Sequence, residues 1–224
     1  MRRVLRDNGL GLLFGLIFLA ALGGQAIAGH ADYNNHQITS GGQPKSLLQF
    51  IGSSEFAVDV AENWQSEYLQ FFLFIFATVW LMQRGSPESK TPDELGAESD
   101  EAQQLGRYTH DRSPSWARAG GLRTTVFSNS LGLVMAGLFL LSWLAQSVAG
   151  VVAYNADQLA NRQDPLSWLE YLGSADFWNR SLQNWQSEFL AIGSMVVLSI
   201  YLRQRGSPES KPVGAAHVST DESG

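Results

Sequence analysis

The sequence predicts an all-α fold: a polytopic membrane protein with four transmembrane helices, built as two parallel tandem repeats with short outer interfacial helices. Three observations predict it. The charged residues leave four long charge-free runs, the chain aligns with itself at a fixed offset, and the lysines and arginines gather on one side of the runs. The averages hide all three. With 224 residues, net charge −6 and mean hydropathy −0.08, the whole composition describes one ordinary, slightly acidic soluble domain. The absence of cysteine excludes disulfides, thiolate metal sites and cysteine nucleophiles. The acidic balance argues against a nucleic-acid partner, which calls for a basic face.

Gly9 to Gly29 and Ser128 to Ala156 carry no charged side chain. Each reaches the ~20 apolar residues that, at about 1.5 Å per residue, cross a hydrocarbon layer of roughly 30 Å. Tyr68 to Gln83 and Phe189 to Leu202 are shorter, and reach that length only when extended upstream through Trp64–Glu67 and Trp185–Glu188. Alone, such a run reads better as a buried helix of a soluble protein. Arg2, Arg3 and Arg6, followed by an apolar stretch ending in Ala26-Ile27-Ala28, imitate a signal peptide and its cleavage site.

The repeat answers both doubts. Residues 8–90 align with residues 129–211 without a gap at an offset of 121, and 33 of the 83 positions are identical. The matches include Gln25/Gln146, Tyr33-Asn34 with Tyr154-Asn155, Pro44/Pro165, and Asn63-Trp64-Gln65-Ser66-Glu67 with Asn184-Trp185-Gln186-Ser187-Glu188. Gln83 to Lys90 recurs unchanged as Gln204 to Lys211. The second copy of the signal-like stretch lies mid-chain, so both are read as retained spans, and two equivalent short runs with one polar entrance are read as spans as well. The spans are placed at about 9–29, 64–83, 130–151 and 185–203. Repeat 1 takes 1–90 and repeat 2 takes 127–211, with a disordered linker at 91–126 and a disordered tail at 212–224. Of the 15 basic residues, 12 precede span one, follow span four or lie between spans two and three. That bias puts both termini and the linker in the cytoplasm, with a pseudo-twofold axis along the membrane normal.

Each outer loop contains a short apolar segment after a proline, 44–51 and 165–172, closed by Gly52 or Gly173. It either lies in the outer interface, with Trp168 and Tyr171 at headgroup depth, or packs onto its neighbours. Glu55-Phe56 and Asp176-Phe177 start a second segment running into the next span.

One constellation carries chemical interest. Glu67 and Gln25 lie roughly 22 and 24 Å above the cytoplasmic ends of their spans at the standard helical rise, and the repeat puts Glu188 and Gln146 at the same heights. A polar intramembrane layer of Gln25, Glu67, Gln146 and Glu188 follows. Its structural reading is a helix entrance: acidic residues near a helix N-terminus, with Trp64 and Trp185 as interfacial anchors beside Trp168. Its functional reading has the axis bring Glu67 and Glu188 together to bind a cation or relay a proton. The four histidines have no ligand spacing and no counterpart between copies, so no metal site is expected. Phosphate-loop, Ser–His–Asp and dinucleotide patterns are absent, so no enzyme and no cofactor is expected.

The residues Tyr171 to Ser174, Phe177-Trp178, Asn184 to Leu190 and Arg203 to Lys211 together resemble an uncharacterised family of small bacterial four-helix membrane proteins. The resemblance implies an integral membrane protein of the bacterial cell membrane and supplies no activity. The first repeat departs from it at Ala57 and Val58, where the second has Trp178 and Asn179. The function expected is a structural or interaction role in the envelope or in stress, and the alternative is a small cation or proton channel or transporter. Its partners are the lipid bilayer and either a second copy of itself or another membrane protein.

Overall fold

The structure is a computed structural model describing residues 6–220. Among those residues every regular element is helical. In chain order the helices are α1 (Gly9–Thr39), α2 (Leu47–Ile51), α3 (Ser54–Trp80), α4 (Ser115–Ala119), α5 (Gly121–Ser128), α6 (Ser130–Ala160), α7 (Trp168–Leu172) and α8 (Ala175–Tyr201). Single 3-10 turns occupy Pro92–Glu94 and Gly106–Tyr108. The segment read as a disordered linker thus contains these two turns and α4, with α5 beginning inside it. The residues α1, α2 and α3 span, shifted by 121, are those of α6, α7 and α8.

α1 and α6 each run for 31 residues, about 46 Å at the helical rise, through leucine, alanine and phenylalanine with no proline. That exceeds a hydrocarbon layer by about ten residues. Both stop at the same device. Gly41 and Arg162 take positive φ, and the next N–H reaches back to the carbonyl of Gln37 or Gln158, at 2.7 and 2.8 Å.

Two helices, α1 and α6, are long and apolar enough to cross a membrane, with only 6% and 17% of their most apolar windows buried. Of the four expected spans, these two meet this measure and α3 and α8 fall short of it. The physical reason is the first half of α3 and α8, where Glu55, Asp59, Glu62, Gln65 and Glu67, or Asp176, Arg180, Gln183 and Glu188, dilute the apolar second half. Each is nonetheless one unbroken 27-residue helix, ending at Trp80 and Tyr201, short of the expected span ends.

The chain divides into two compact units, the first comprising residues to Ala61 with Ala145–Leu172, the second Glu62–Leu144 with the residues from Gly173 onward. The first unit buries Phe50 against the rings of His30, Tyr33 and Phe56, with centroids 6.0, 5.7 and 5.6 Å away. In the second copy Tyr171 is fully buried and packs on Tyr154 at 5.6 Å. Gly29 and Gly150 let those rings approach: a Cβ at Gly29 would lie 3.1 Å from Phe50 Cζ, and one at Gly150 only 2.5 Å from Tyr171 Oη. Asn34 clamps the backbone of Lys45 through both its amide atoms, at 2.8 and 2.9 Å, and Asn155 does the same to Leu166. The repeated Gly, Tyr and Asn are therefore packing and clamping residues.

α2 begins later than the proline signal suggests. Pro44 lies outside the helix, and Ser46 caps it, exchanging bonds with Gln49 in a capping box. Ser167 and Glu170 repeat that box ahead of α7. Of the two placements left open for these helices, packing is the one observed, since Phe50 and Tyr171 are buried and the Trp168 indole donates to Ser147 Oγ at 3.1 Å. Beside α2, Lys45 and Glu55 form an ion pair at 3.1 Å. Burial works against both charges, yet their mutual contact, with hydrogen bonds from neighbours, raises the ammonium and lowers the carboxyl from their ordinary values.

Candidate functional site

The second unit gathers the repeated polar motifs in two clusters, one along the first halves of α3 and α8 and one just beyond their C-terminal ends. In the first cluster, one face of α3 presents Gln65, Ser66 and Leu69, all buried. The Trp185 indole of α8 donates to Gln65 Oε1 at 2.8 Å, three residues along from an ion pair in which Arg180 Nη1 holds Glu62 Oε2 at 2.9 Å. Asp176, one turn back from Arg180, adds a second carboxylate at 3.5 Å. Trp143 of α6 closes this cluster, stacking on Phe139 and Phe177, meeting Trp178 edge-on, and donating to buried Ser181 at 3.3 Å.

The predicted site residues distribute unevenly around it. Glu67 is exposed and Glu188 half-buried, and the two carboxylates lie close enough for their charges to act on one another. Gln146 is fully buried and Gln25 half-buried, both in the first unit. Of the three tryptophans read as interfacial anchors, Trp64 is 42% exposed, while Trp185 and Trp168 spend their indole N–H groups on Gln65 and Ser147. Gln65 and the Glu62–Arg180 pair were missed by sequence reasoning. The i, i+3 spacing of Glu62 and Gln65 was the available signal, since it places both on one helical face.

Trp185→Phe removes the donor from a fully buried amide carbonyl. The expected loss is about 1–3 kcal/mol, read as thermal unfolding of the purified protein in detergent. Trp64→Phe, at a 42% exposed indole, serves as the comparison. Equal effects at the two positions would refute the assigned bond.

The second cluster is the repeated block after each long helix. Gln83 to Lys90 and Gln204 to Lys211 fold into the same loop. Gly85 and Gly206 take positive φ, and the Gln83 and Gln204 N–H groups donate to Ser89 and Ser210 Oγ at 2.8 and 2.9 Å. Ser86 and Ser207 N–H donate back to the Gln83 and Gln204 carbonyls, each at 3.1 Å. The block's identity in both copies is explained at these positions by one self-bonded loop. Lys90 reaches the Gly96 carbonyl and Glu98, whereas Lys211 is buried and donates to the carbonyls of Ala216, His217 and Ser219 at 3.1, 2.9 and 3.1 Å. The Gly85 N–H bonds Thr220 Oγ1 at 3.0 Å, so the first loop seats on the tail that Lys211 gathers.

Among the described residues no group of three or more histidine, aspartate or glutamate side chains is placed to hold a metal ion. A cavity of about 630 Å³ opens mainly among linker residues, and the lysine and glutamate that line it, Lys90 and Glu98, already pair with each other.

Among the described residues these features define an all-helical fold with two helices long and apolar enough to cross a membrane. The chain belongs to the family described as Domain of unknown function (DUF6766), which matches residues 1–222. No curated protein and no solved structure matches it.

Proposed function

We propose that this is an integral protein of the bacterial cell membrane that acts as a structural or interaction element, without catalysis. The observation that carries this reading is the exposure of α1 and α6: helices of 31 residues whose apolar windows are 6% and 17% buried need a covering of lipid or of another protein. We extend it to four spans in two tandem repeats. Supporting this, the apolar second halves of α3 and α8 expose Phe71, Phe76, Leu190 and Leu198, and the helix limits repeat at one offset. The polar first halves then meet the outer interface, where Glu62 is neutralised by Arg180. The lysine and arginine bias sets both termini in the cytoplasm. The outer helices α2 and α7 keep Leu48 and Leu169 83% and 72% exposed, a pair of apolar contacts at headgroup depth for lipid or a partner.

Because the chain lacks cysteine, single cysteines test the topology directly. Ser40→Cys and Asn161→Cys are expected to label from outside intact cells with an impermeant maleimide, and Ser99→Cys only after lysis. Labelling of Ser99→Cys from outside would overturn the arrangement.

A second reading is favoured by one observation, the proximity of Glu67 and Glu188: a small cation or proton path using that pair. In proteoliposomes, proton or cation flux abolished by Glu67→Gln/Glu188→Gln would replace the structural reading with this one. Absence of flux in the parent protein would sink it.

A further inference from the structure

The last turns of α8 border a groove that neither polar cluster uses. Ala191, Ser194, Met195, Leu198 and Leu202 recur at intervals of three and four along one helical stripe. With the loop beyond Tyr201 they line a mostly apolar cavity of about 410 Å³, and Met195, Leu198 and Leu202 are exposed. From Ala191 to Leu202 the stripe rises roughly 16 Å, half of a hydrocarbon layer of roughly 30 Å. Its length is that of one leaflet.

The charged groups of the cavity gather beyond the end of the helix. Leu202 leaves α8 in an extended conformation, the chain turns at Gly206 with positive φ, and the Gln204 N–H closes on Ser210 Oγ. That closure returns Glu209 to the cavity that Arg203 also lines. Arg203 Nη1 donates to the Ser199, Ile200 and Leu202 carbonyls and Nη2 to that of Ala215, at 3.3, 3.1, 2.8 and 3.0 Å. Neutral acceptors thus pin the guanidinium in place and leave its positive charge whole. Glu209 is exposed. The first copy is built differently here: Gln70, Leu73 and Met82 occupy the positions of Ala191, Ser194 and Arg203. It has bulk where the second copy is small, and a thioether where the second has a cation.

We propose that this groove holds one ethanolamine phospholipid of the cytoplasmic leaflet, with an acyl chain along α8, the phosphate at Arg203 and the ammonium at Glu209. The proposal rests on the reading of α8 as a membrane span that ends in the cytoplasm. An apolar stripe one leaflet long, with both charges at one end, has the form of an amphiphile's complement. A helix of a second copy or of another protein would call for a seam running the length of the span, whereas the cavity stops at Ala191. The charges select the headgroup. A guanidinium suits a phosphate, and a carboxylate suits a cation that donates hydrogen bonds. Ethanolamine supplies both partners, its ammonium carrying three donors as a lysine does. A choline headgroup carries the charge without an N–H, and a glycerol headgroup carries no cation.

The test mixes the purified full chain in detergent with equal amounts of ethanolamine, choline and glycerol phospholipids of matched acyl chains, and reads the retained lipid by native mass spectrometry. One ethanolamine phospholipid per chain is expected, favoured about two- to five-fold over the choline form, the worth of an exposed ion pair. Glu209→Gln is expected to abolish that preference while lipid still binds. Ala191→Gln/Ser194→Leu, which gives the second copy the bulk of the first, is expected to release the lipid. Equal retention of the ethanolamine and choline forms, preference for the glycerol form, or a preference that survives Glu209→Gln would overturn the proposal. Should the double variant fail to fold, Glu209→Gln, at an exposed side chain, decides alone. Met195→Cys chains are expected not to cross-link in the membrane, and an efficient disulfide between them would seat a second copy in the groove and overturn the proposal. The span is read separately: Val213→Cys is expected to label with an impermeant maleimide only after lysis. Labelling from outside would remove the span and the site together, whereas a lost lipid preference with Val213→Cys protected overturns the site alone.

Discussion

Gly150→Val is expected to break the packing of α7 on α6 in the first unit. A Cβ there would stand 2.5 Å from Tyr171 Oη and within 3.0 Å of two ring carbons, and Tyr171 is fully buried with no free space to retreat into. Either α7 shifts off α6 or the tyrosine leaves its site. Overpacking of this kind costs about 1–3 kcal/mol, and expelling a buried aromatic raises it to about 3–5 kcal/mol. Thermal unfolding in detergent reads the loss, with Gly132→Val on the same helix as the control, since nothing lies within 4 Å of its Cβ. The first copy suggests a partial rescue. Phe50 stands where Tyr171 does and would leave 3.1 Å to a Cβ at Gly29, so Tyr171→Phe is expected to recover part of the damage from Gly150→Ala. Equal losses from Gly150→Val and Gly132→Val would show that the approach of Tyr171 to the glycine does not govern this packing.

Lys211→Met is expected to release the tail. The buried ammonium donates to three carbonyls between Ala216 and Ser219, and each charge-assisted bond is worth about 1.5–3 kcal/mol. Methionine fills the stem's space and supplies no donor, so the carbonyls turn to water and the tail peels away from Gly85 and Thr220's bond to it. Amide hydrogen exchange over residues 215–219 should accelerate by at least about a hundred-fold, the equivalent of about 2.7 kcal/mol. Lys211→Arg is not expected to rescue it, because a planar fork does not fit three carbonyls arranged around a point. Lys90→Met is expected to act weakly, its partners being the Gly96 carbonyl and a surface carboxylate. Unchanged exchange in Lys211→Met would mean that the tail is held by its other contacts alone.

The helix starts at Gly9 and Ser130 were legible because each opens a long charge-free apolar run with no proline to interrupt it. The short helices α2 and α7 were legible as segments but not at their starts, where the proline drew attention from Ser46 and Ser167. A serine answered three residues later by Gln49 or Glu170 is the stronger signal, because it satisfies two N–H groups at once. The polar layer was legible in composition only. Asn63 to Glu67 spans more than one turn, so its residues face different ways, and identity between copies does not say which way. Gln65 and Ser66 turned out to be the buried ones and Glu67 an exposed one. In the Gln83–Lys90 block, repetition marked the importance without the reason. The serine-to-backbone bonds that close the loop depend on a chain reversal that spacing alone does not reveal.

The Glu62–Arg180 ion pair bears on how such a duplicated chain keeps its halves in order. The residues 121 positions away are Gln183 and Asp59, so the pair has no mirror image. Two first copies brought side by side would set Glu62 against Asp59, acid facing acid. Two second copies would set Arg180 against Gln183, leaving it only the Asp176 carboxylate of its own helix. Only unlike halves are complementary here, and a like-with-like exchange between neighbouring molecules forfeits this bond at each junction. The divergence between the copies thus makes this one contact directional, favouring the pairing of unlike halves.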